Sequence, residues 1–362
     1  MKKILVIARP FTFHGGIERA TAGFLAALVA HGYDVELLSF AGQQPVPGVT
    51  VHTLSLPPLP APARALAVAA AAARFAGRDR WDIVQSHERT LRQHVYRAGE
   101  GCHRAYLASR ARAGGRGLYH RVVLALERRV FARTPRIVAI ARAGKREIET
   151  LYGVPPARVS VVYNGVDLER FHPANRRTLG ADVRRELGFG AHTFIVLFVG
   201  TGFERKGLAT AVEGFAGLGD RDARLVVIGK GDTARYRELA ARLRVGGAVH
   251  WLEPRRDIEC WYAAADVTVL PARYEPFGNV HLESLASGTP VVTSRQAGGS
   301  EVVADGVSGA IVDAGDARQV TEALARVRAA SLALREGARR AAEPYTYDAQ
   351  VAGFARVYAN FA

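Results

Sequence analysis

Short apolar runs alternate with longer amphipathic segments along the whole chain, the pattern of βαβ units feeding a parallel sheet. In the first half, "KILVIA" (3–8), "DVELLSF" (34–40), "VTVHTLS" (49–55), "DIVQSH" (82–87), "HVYRAG" (94–99), "RIVAIA" (136–141) and "RVSVVY" (158–163) read as strands. Helices are expected over 16–31, 62–77, 117–132 and 142–152. The strand pattern restarts with "TFIVLFVG" (193–200), "RLVVIGKG" (224–231), "AVHWL" (248–252), "DVTVLPA" (266–272) and "PVVTS" (290–294). Between the halves, "YNGVDLERFHPANRRTLGAD" (163–182) is rich in Asn, Gly and Pro and poor in periodicity, so the linker is placed there. The expected fold class is α/β: two doubly wound Rossmann-like domains, 1–165 and 166–345, then a helix over 346–362. Ligands of such sheets bind outside the carboxyl ends of the strands, so a cleft is expected where those ends face one another. No short fixed period recurs, which excludes a solenoid.

A chain of 362 residues exceeds what one hydrophobic core supports, in keeping with two domains. Cys102 and Cys260 are the only cysteines, too few and too far apart for a disulfide framework or a zinc cluster. The opening "MKKILVIARPF" has only Ile4 to Ala8 apolar before Arg9, short of a signal-peptide core, and reads as a first strand. The Ala-rich stretch 61–77 is too short between Arg64 and Arg74 to span a bilayer.

The net charge of +15 changes the picture once it is divided by position. Residues 1–165 hold 24 Lys and Arg against 10 Asp and Glu, whereas residues 166–362 hold 25 against 24. The densest part, 102–136, has nine arginines and a single acid. A one-sided excess of this kind implies an anionic partner. The segment carries no helix-turn-helix, zinc-finger or aromatic RNP pattern, so nucleic acid is not the expected partner.

Candidate chemistry concentrates at the ends of the predicted strands. In "RYEPFGNVHLESLASGTP" (273–290), Glu275 and Glu283 are eight positions apart. On one helix that spacing is about 12 Å along the axis, more than the roughly 5 to 9.5 Å that separates the carboxyl pair of a glycoside hydrolase. Pro276, Gly278 and Asn279 argue that the helix starts near Asn279 and ends at Ser287. Glu275 then lies on the entering loop and Glu283 inside the helix, addressing two ends of one elongated ligand. The backbone N–H groups of Phe277, Gly278 and Asn279 offer a seat for an anion such as a diphosphate between them. His281, within the helix, reads as a helix-face residue. "VLFVGTGFERKG" (196–207) is a buried strand followed by a glycine loop, with Gly202, and two cations, Arg205 and Lys206, suited to stabilising a leaving group. "FTFHGGIERA" (11–20) follows strand one, and Gly15 and Gly16 allow close approach of a ligand to a helix start.

A Gly-Gly loop after strand one, "YNGVD" between the halves, "RKG" after the first strand of the second half and "EPFG" opening an acid-x7-acid stretch together resemble the retaining glycosyltransferases of family 4, of the GT-B fold, over nearly the whole chain. Within that family "GTGFERKG", "LVVIGKGD" and "EPRRDIECWYAAADVTVLPARYEPFG" look most like the lipopolysaccharide-core heptose glucosyltransferases. The resemblance implies an acceptor-binding first domain, a donor-binding second domain and a final helix that packs back toward the first. It also implies that Glu283 holds the ribose of a nucleotide-sugar donor. Glu275, with the Phe277–Asn279 backbone, would hold the donor sugar, and Arg205 and Lys206 would neutralise the departing diphosphate. Arg255 matches an arginine beside the base. Glu100, in "HVYRAGEGCHRAYL" (94–107), matches an acid facing the reaction centre, although "GEG" departs from that pattern. His87 stands where many members place a histidine near the donor sugar.

The implied reaction is transfer of a hexose from a UDP-hexose, UDP-glucose foremost, to a hydroxyl of a membrane-associated glycan such as the lipopolysaccharide core. GDP-mannose and lipid or polysaccharide acceptors compete as donor and acceptor, and a non-catalytic nucleotide-sugar or nucleic-acid binding protein is the remaining alternative. The implied location is the inner face of the cytoplasmic membrane, with the basic first domain against its anionic surface. No cofactor and no metal are expected, because Asp220 and Asp222 in "GDRDAR" precede a strand instead of leaving one. A dinucleotide-dependent dehydrogenase fails on "ARPFTFHGGIERA", which lacks G-x-G-x-x-G, and on "GTGFER", with Arg205 at the third glycine position.

Overall fold

The computed structural model describes residues 2–11, 16–78, 80–110, 117–190 and 192–361. They form two compact units, residues 1–165 with 347–362 and residues 166–346.

In the first unit the strands β1 (Lys3–Ile7), β2 (Asp34–Phe40), β3 (Thr50–Leu54), β4 (Ile83–Ser86), β5 (Val95–Ala98), β6 (Arg136–Ala139) and β7 (Val159–Val161) are joined through helices. These are α1 (Gly16–Ala30), α2 (Ala61–Ala76), α3 (His103–Ala108), α4 (Leu118–Arg133) and α5 (Arg142–Tyr152). All pairings are parallel, in the order β3-β2-β1-β4-β5-β6-β7, so the order reverses between β1 and β4. The second unit holds α6 (Leu179–Glu186), β8 (Phe194–Val199), α7 (Leu208–Gly217), β9 (Ala223–Ile228), α8 (Ala234–Arg242), β10 (Val249–Leu252) and α9 (Ile258–Ala264). It continues with β11 (Val267–Leu270), α10 (Val280–Ala286), β12 (Val291–Ser294), β13 (Gly309–Val312), α11 (Ala317–Ala329) and α12 (Ser331–Ala342). Its sheet is again parallel, β10-β9-β8-β11-β12-β13, and reverses between β8 and β11.

The central strands are buried on both faces, which is why they read as continuous apolar runs: Ile4 to Ile7 are fully buried, as are Val196 and Phe198. The last helix, α13 (Tyr347–Tyr358), belongs to the first unit. Phe354 and Tyr358 enter the core that Phe24, Leu28 and Val35 form, and the Tyr358 hydroxyl donates to Gln85 Oε1 at 2.5 Å. The segment read as a linker does not stand apart. Residues 163–165 end the first unit, and from Val166 the chain already builds the second, with α6 beginning at Leu179. Helix α3 carries no expectation from the sequence, since six residues show too little periodicity.

Two glycines place the loops at the reversal point of the second unit. Gly200, at φ +148°, leaves room for Lys206 to fold back, because a Cβ there would lie 2.4 Å from Lys206 Nζ. Gly207, at φ +77°, starts α7, and a Cβ would come 2.1 Å from the Pro271 carbonyl oxygen. Gly207→Ala therefore meets both a left-handed backbone and a rigid carbonyl. It is expected to lower stability by about 2 to 4 kcal/mol in urea denaturation.

Candidate functional site

Strand β8 delivers the loop with Arg205 and Lys206, and β11 delivers the loop with Glu275. The two loops meet at the point where the strand order reverses, the place where ligands of doubly wound sheets bind. Arg205 Nη1 donates to Glu275 Oε2 at 2.9 Å and to the Tyr274 carbonyl at 2.8 Å, and Lys206 Nζ lies 3.5 Å from the same carboxylate oxygen. Burial alone would raise the Glu275 pKa; the charges of Lys206 and Arg205 outweigh it and hold the carboxyl below its usual value. Two cations on one carboxylate leave a residual positive charge.

The loop carrying Glu275 is tied down from behind. Its carbonyl accepts the N–H of Gly298 at 2.8 Å. Gly278 takes φ +79°, and His281 Nδ1 donates to its carbonyl at 2.7 Å. With the proton on Nδ1, Nε2 accepts from the Thr293 hydroxyl at 2.7 Å, which links the loop to β12. His281, expected as a helix-face residue, is fully buried in α10, whose residues are all buried. Burial lowers its pKa to about 4. Asn279 precedes α10 as expected, but its side chain makes no capping bond. Phe277 is fully buried. Glu283, one turn into α10, is buried and accepts the Tyr262 hydroxyl at 2.9 Å. Arg255 pairs with both Asp257 oxygens at 3.0 Å and lies 5.3 Å over the Trp261 ring. Gly202 takes φ +73° beside Arg205.

The first unit has its own site at the reversal between β1 and β4. A small pocket there is lined by Ala8, Arg9 and Phe11 after β1, His87 and Glu88 after β4, and Arg97, Gly99 and Glu100 at the end of β5. Gln85 gives its carbonyl to Tyr358, so its amide nitrogen faces His87 Nε2 at 2.8 Å. His87 Nε2 is then the acceptor, and the proton sits on Nδ1, which is buried without a partner. Burial, followed by the nearby Arg97 charge, keeps His87 neutral, well below its ordinary pKa.

Glu100 lies in the wall, but its two oxygens are committed, one to Arg9 and the other to Arg89 at 2.8 Å. Burial opposes ionisation there, and the two guanidinium groups overcome it. Arg9 also pairs with Glu88 through two bonds, at 2.9 and 3.2 Å. Arg89 continues inward to the fully buried Glu127, at 3.1 and 3.0 Å. Glu127 further accepts the N–H groups of His103 and Arg104, which open α3, and the Tyr152 hydroxyl. Gly16 is the first residue of α1, whereas Gly15 lies outside the described residues. The structure thus gathers Arg205, Lys206, Glu275, Phe277, Gly278, Asn279 and Glu283 around α10, and His87 and Glu100 around the first pocket.

Sequence reasoning missed Arg9, Arg89, Arg97, Glu127 and Tyr262. Glu127 had a signal: it is the single acid among the nine arginines of 102–136. Asp220 accepts the N–H of Asp222 at 2.9 Å in the turn before β9. Among the described residues no group of three or more acids, histidines or cysteines is placed to hold a metal ion.

With these geometries in place, residues 14–170 match the family described as Glycosyltransferase Family 4 and residues 181–343 that described as Glycosyl transferases group 1. The chain carries two glycosyltransferase domains in the GT-B fold. Among solved structures, WaaG, a glycosyltransferase involved in lipopolysaccharide biosynthesis, superposes with a TM-score of 0.83 at 23% identity, over 98% of each chain. Anabaena HepE in complex with UDP-glucose gives 0.78 at 16% identity, over 99% of each. At these identities both likenesses speak for the fold. Among curated proteins, the D-inositol 3-phosphate glycosyltransferase of Salinispora arenicola is 35% identical over 251 residues, 64% of this chain and 56% of its own. That of Thermobispora bispora is 37% identical over 243 residues, 62% and 55%. This glycosyltransferase-like chain therefore spans little more than half the length of the curated relatives it matches. Their names point to an inositol phosphate acceptor and not to a lipopolysaccharide-core heptose.

The buried His281 makes a pH prediction. The unfolded chain takes up this proton near pH 6.5, whereas the fold resists it down to about 4. The stability is fully present above 6.5 and is lost as pH falls toward 4, by on the order of 3 kcal/mol. Urea midpoints measured from pH 7 to 4 should fall for the wild type and fall less for His281→Gln.

Proposed function

We propose that the protein is a metal-independent retaining hexosyltransferase that takes its sugar from a nucleotide sugar. The observation that carries this reading is the Arg205–Lys206–Glu275 cluster at the strand-order reversal of the second unit, with Glu283 one turn into the adjoining helix. In this reading a nucleoside diphosphate sugar lies along the start of α10. Glu283 binds the ribose, and Arg255 lies beside the base. Glu275, with the backbone of Phe277, Gly278 and Asn279, positions the sugar. The residual positive charge of Arg205 and Lys206 stabilises the diphosphate as the glycosidic bond breaks, the role a divalent cation plays elsewhere. The acceptor hydroxyl is oriented against the anomeric carbon on the same face, and the departing phosphate takes its proton. Neutral His87, with its proton on Nδ1, belongs to the wall of the first unit's pocket. Glu100, ionised between two guanidinium groups, acts through charge and position and not as a strong base.

A UDP-hexose is the preferred donor, supported by the UDP-glucose complex of a GT-B neighbour. For the acceptor, the basic first half supports a phosphorylated membrane glycan met at an anionic inner-membrane surface. The names of the curated relatives favour a second reading, a small polyol phosphate. Among the described residues no helix is long and apolar enough to cross a membrane. The basic α4 carries exposed Leu118 and Tyr119 at its start, which supports contact with a bilayer surface.

Isothermal titration with UDP-glucose in EDTA should show binding, which Glu283→Ala weakens roughly ten- to hundredfold. Arg205→Ala should lower kcat about 100- to 1000-fold with a smaller effect on binding. Activity left intact by both Arg205→Ala and Glu275→Ala would end this reading.

Replacing Arg121, Arg128 and Arg129 with Gln should weaken sedimentation with anionic liposomes in a salt-dependent way, each cation near the surface contributing about 1 kcal/mol. Unchanged binding would remove the membrane from the proposal.

A further inference from the structure

The pocket of the first unit contains a cation with no counter-ion among the described residues. Arg97 emerges from β5 and is only 6% exposed. Among the described residues its one hydrogen bond runs from Nη2 to Asn164 Oδ1 at 2.6 Å, and no carboxylate lies within ion-pair distance of it. The other acids of the wall are already satisfied elsewhere: Glu88 by Arg9, and Glu100 by Arg9 and Arg89. Burial draws the Arg97 pKa down only to about 10, so the group is charged at neutral pH. An isolated buried charge is costly unless something pairs with it.

Two further features make this a built site. Gly99 lets the guanidinium lie against the backbone of the pocket wall, since a Cβ there would sit 2.3 Å from Arg97 Nη1. His87, next to Arg97 in the same wall, is about nine-tenths buried and carries its Nδ1 proton without an acceptor. A charged fork and a neutral N–H donor, both lacking acceptors, are what an oxyanion with several lone pairs satisfies.

We propose that the pocket walled by Arg97, His87 and Gly99 binds a phosphate group carried by the acceptor, so that the acceptor is anchored by its phosphate in the first unit while a hydroxyl is presented for transfer. This rests on the glycosyltransferase reading above and names a feature of the acceptor that both acceptor chemistries share.

The test uses the full chain and inorganic phosphate as probe. Phosphate binding is followed by ³¹P line broadening and isothermal titration, with saturating UDP present, and UDP-glucose is titrated separately. The expected result is phosphate binding that UDP does not displace, weakened at least about tenfold in Arg97→Met, with UDP affinity unchanged. Absence of phosphate binding by the wild type, equal binding by the variant, or displacement by UDP would each overturn the proposal. Displacement would assign the anion to the donor diphosphate. Failure of UDP-glucose to bind would instead strike the functional reading and leave the phosphate result standing. Should Arg97→Met not fold, wild-type crystals soaked in phosphate decide the matter: an oxyanion in contact with the Arg97 guanidinium is expected, and a phosphate-free pocket would overturn the proposal.

Discussion

Glu275 stays ionised inside the second unit because Arg205 and Lys206 reach it from the loop after β8, while its own loop follows β11. The attraction that compensates the desolvation of one carboxylate therefore also fixes two loops where the strand order reverses. The rest of the site depends on that contact. Gly200 and Gly207 give the cations their approach, and Gly278 and His281 hold the acid loop against α10 and β12. A carboxylate held this way is a rigid, charged positioning group and a poor proton acceptor. That suits binding of a sugar better than hydrolysis, for which one carboxyl of a pair must hold its proton.

The first unit handles charge differently. Glu88, Arg9, Glu100, Arg89 and Glu127 alternate in sign from the pocket wall to the fully buried end of the chain of contacts. Arg9, Glu100 and Arg89 are bonded on both sides and Glu127 is buried against backbone donors, with Glu88 at the outer end held by Arg9 alone, so the network ties together a wall that follows three different strands. Much of the positive charge counted in residues 1–165 falls outside this network, on exposed positions of α4 such as Arg128 and Arg129, where it is free to act over longer distance.

The strands were legible because parallel strands buried on both faces are continuous apolar runs, as "KILVI" and "FIVLFV" are. That Glu275 lies on the entering loop and Glu283 inside α10 was legible from the helix-breaking residues between them. What stayed hidden was partnership. The sequence assigns Arg205 and Lys206 to a ligand and Glu275 to a sugar, but nothing local reveals that these three side chains lie against each other across 70 residues. The burial of His281 stayed hidden for a related reason: α10 is buried all round and satisfies its polar groups internally. Arg97 and Glu127 escaped notice because burial of a charge is a property of the assembled sheet and helices.

The chain leaves the first unit after Gly165 and rejoins it at Tyr347, where α13 closes the hydrophobic core over Phe24 and meets Gln85 through Tyr358. During synthesis, then, the first 165 residues emerge from the ribosome with Phe24 and Gln85 still uncovered. They await a helix made only after all of the second unit. That unit is contiguous and can mature first, which inverts the usual order in which the segment nearest the amino terminus folds before its successor.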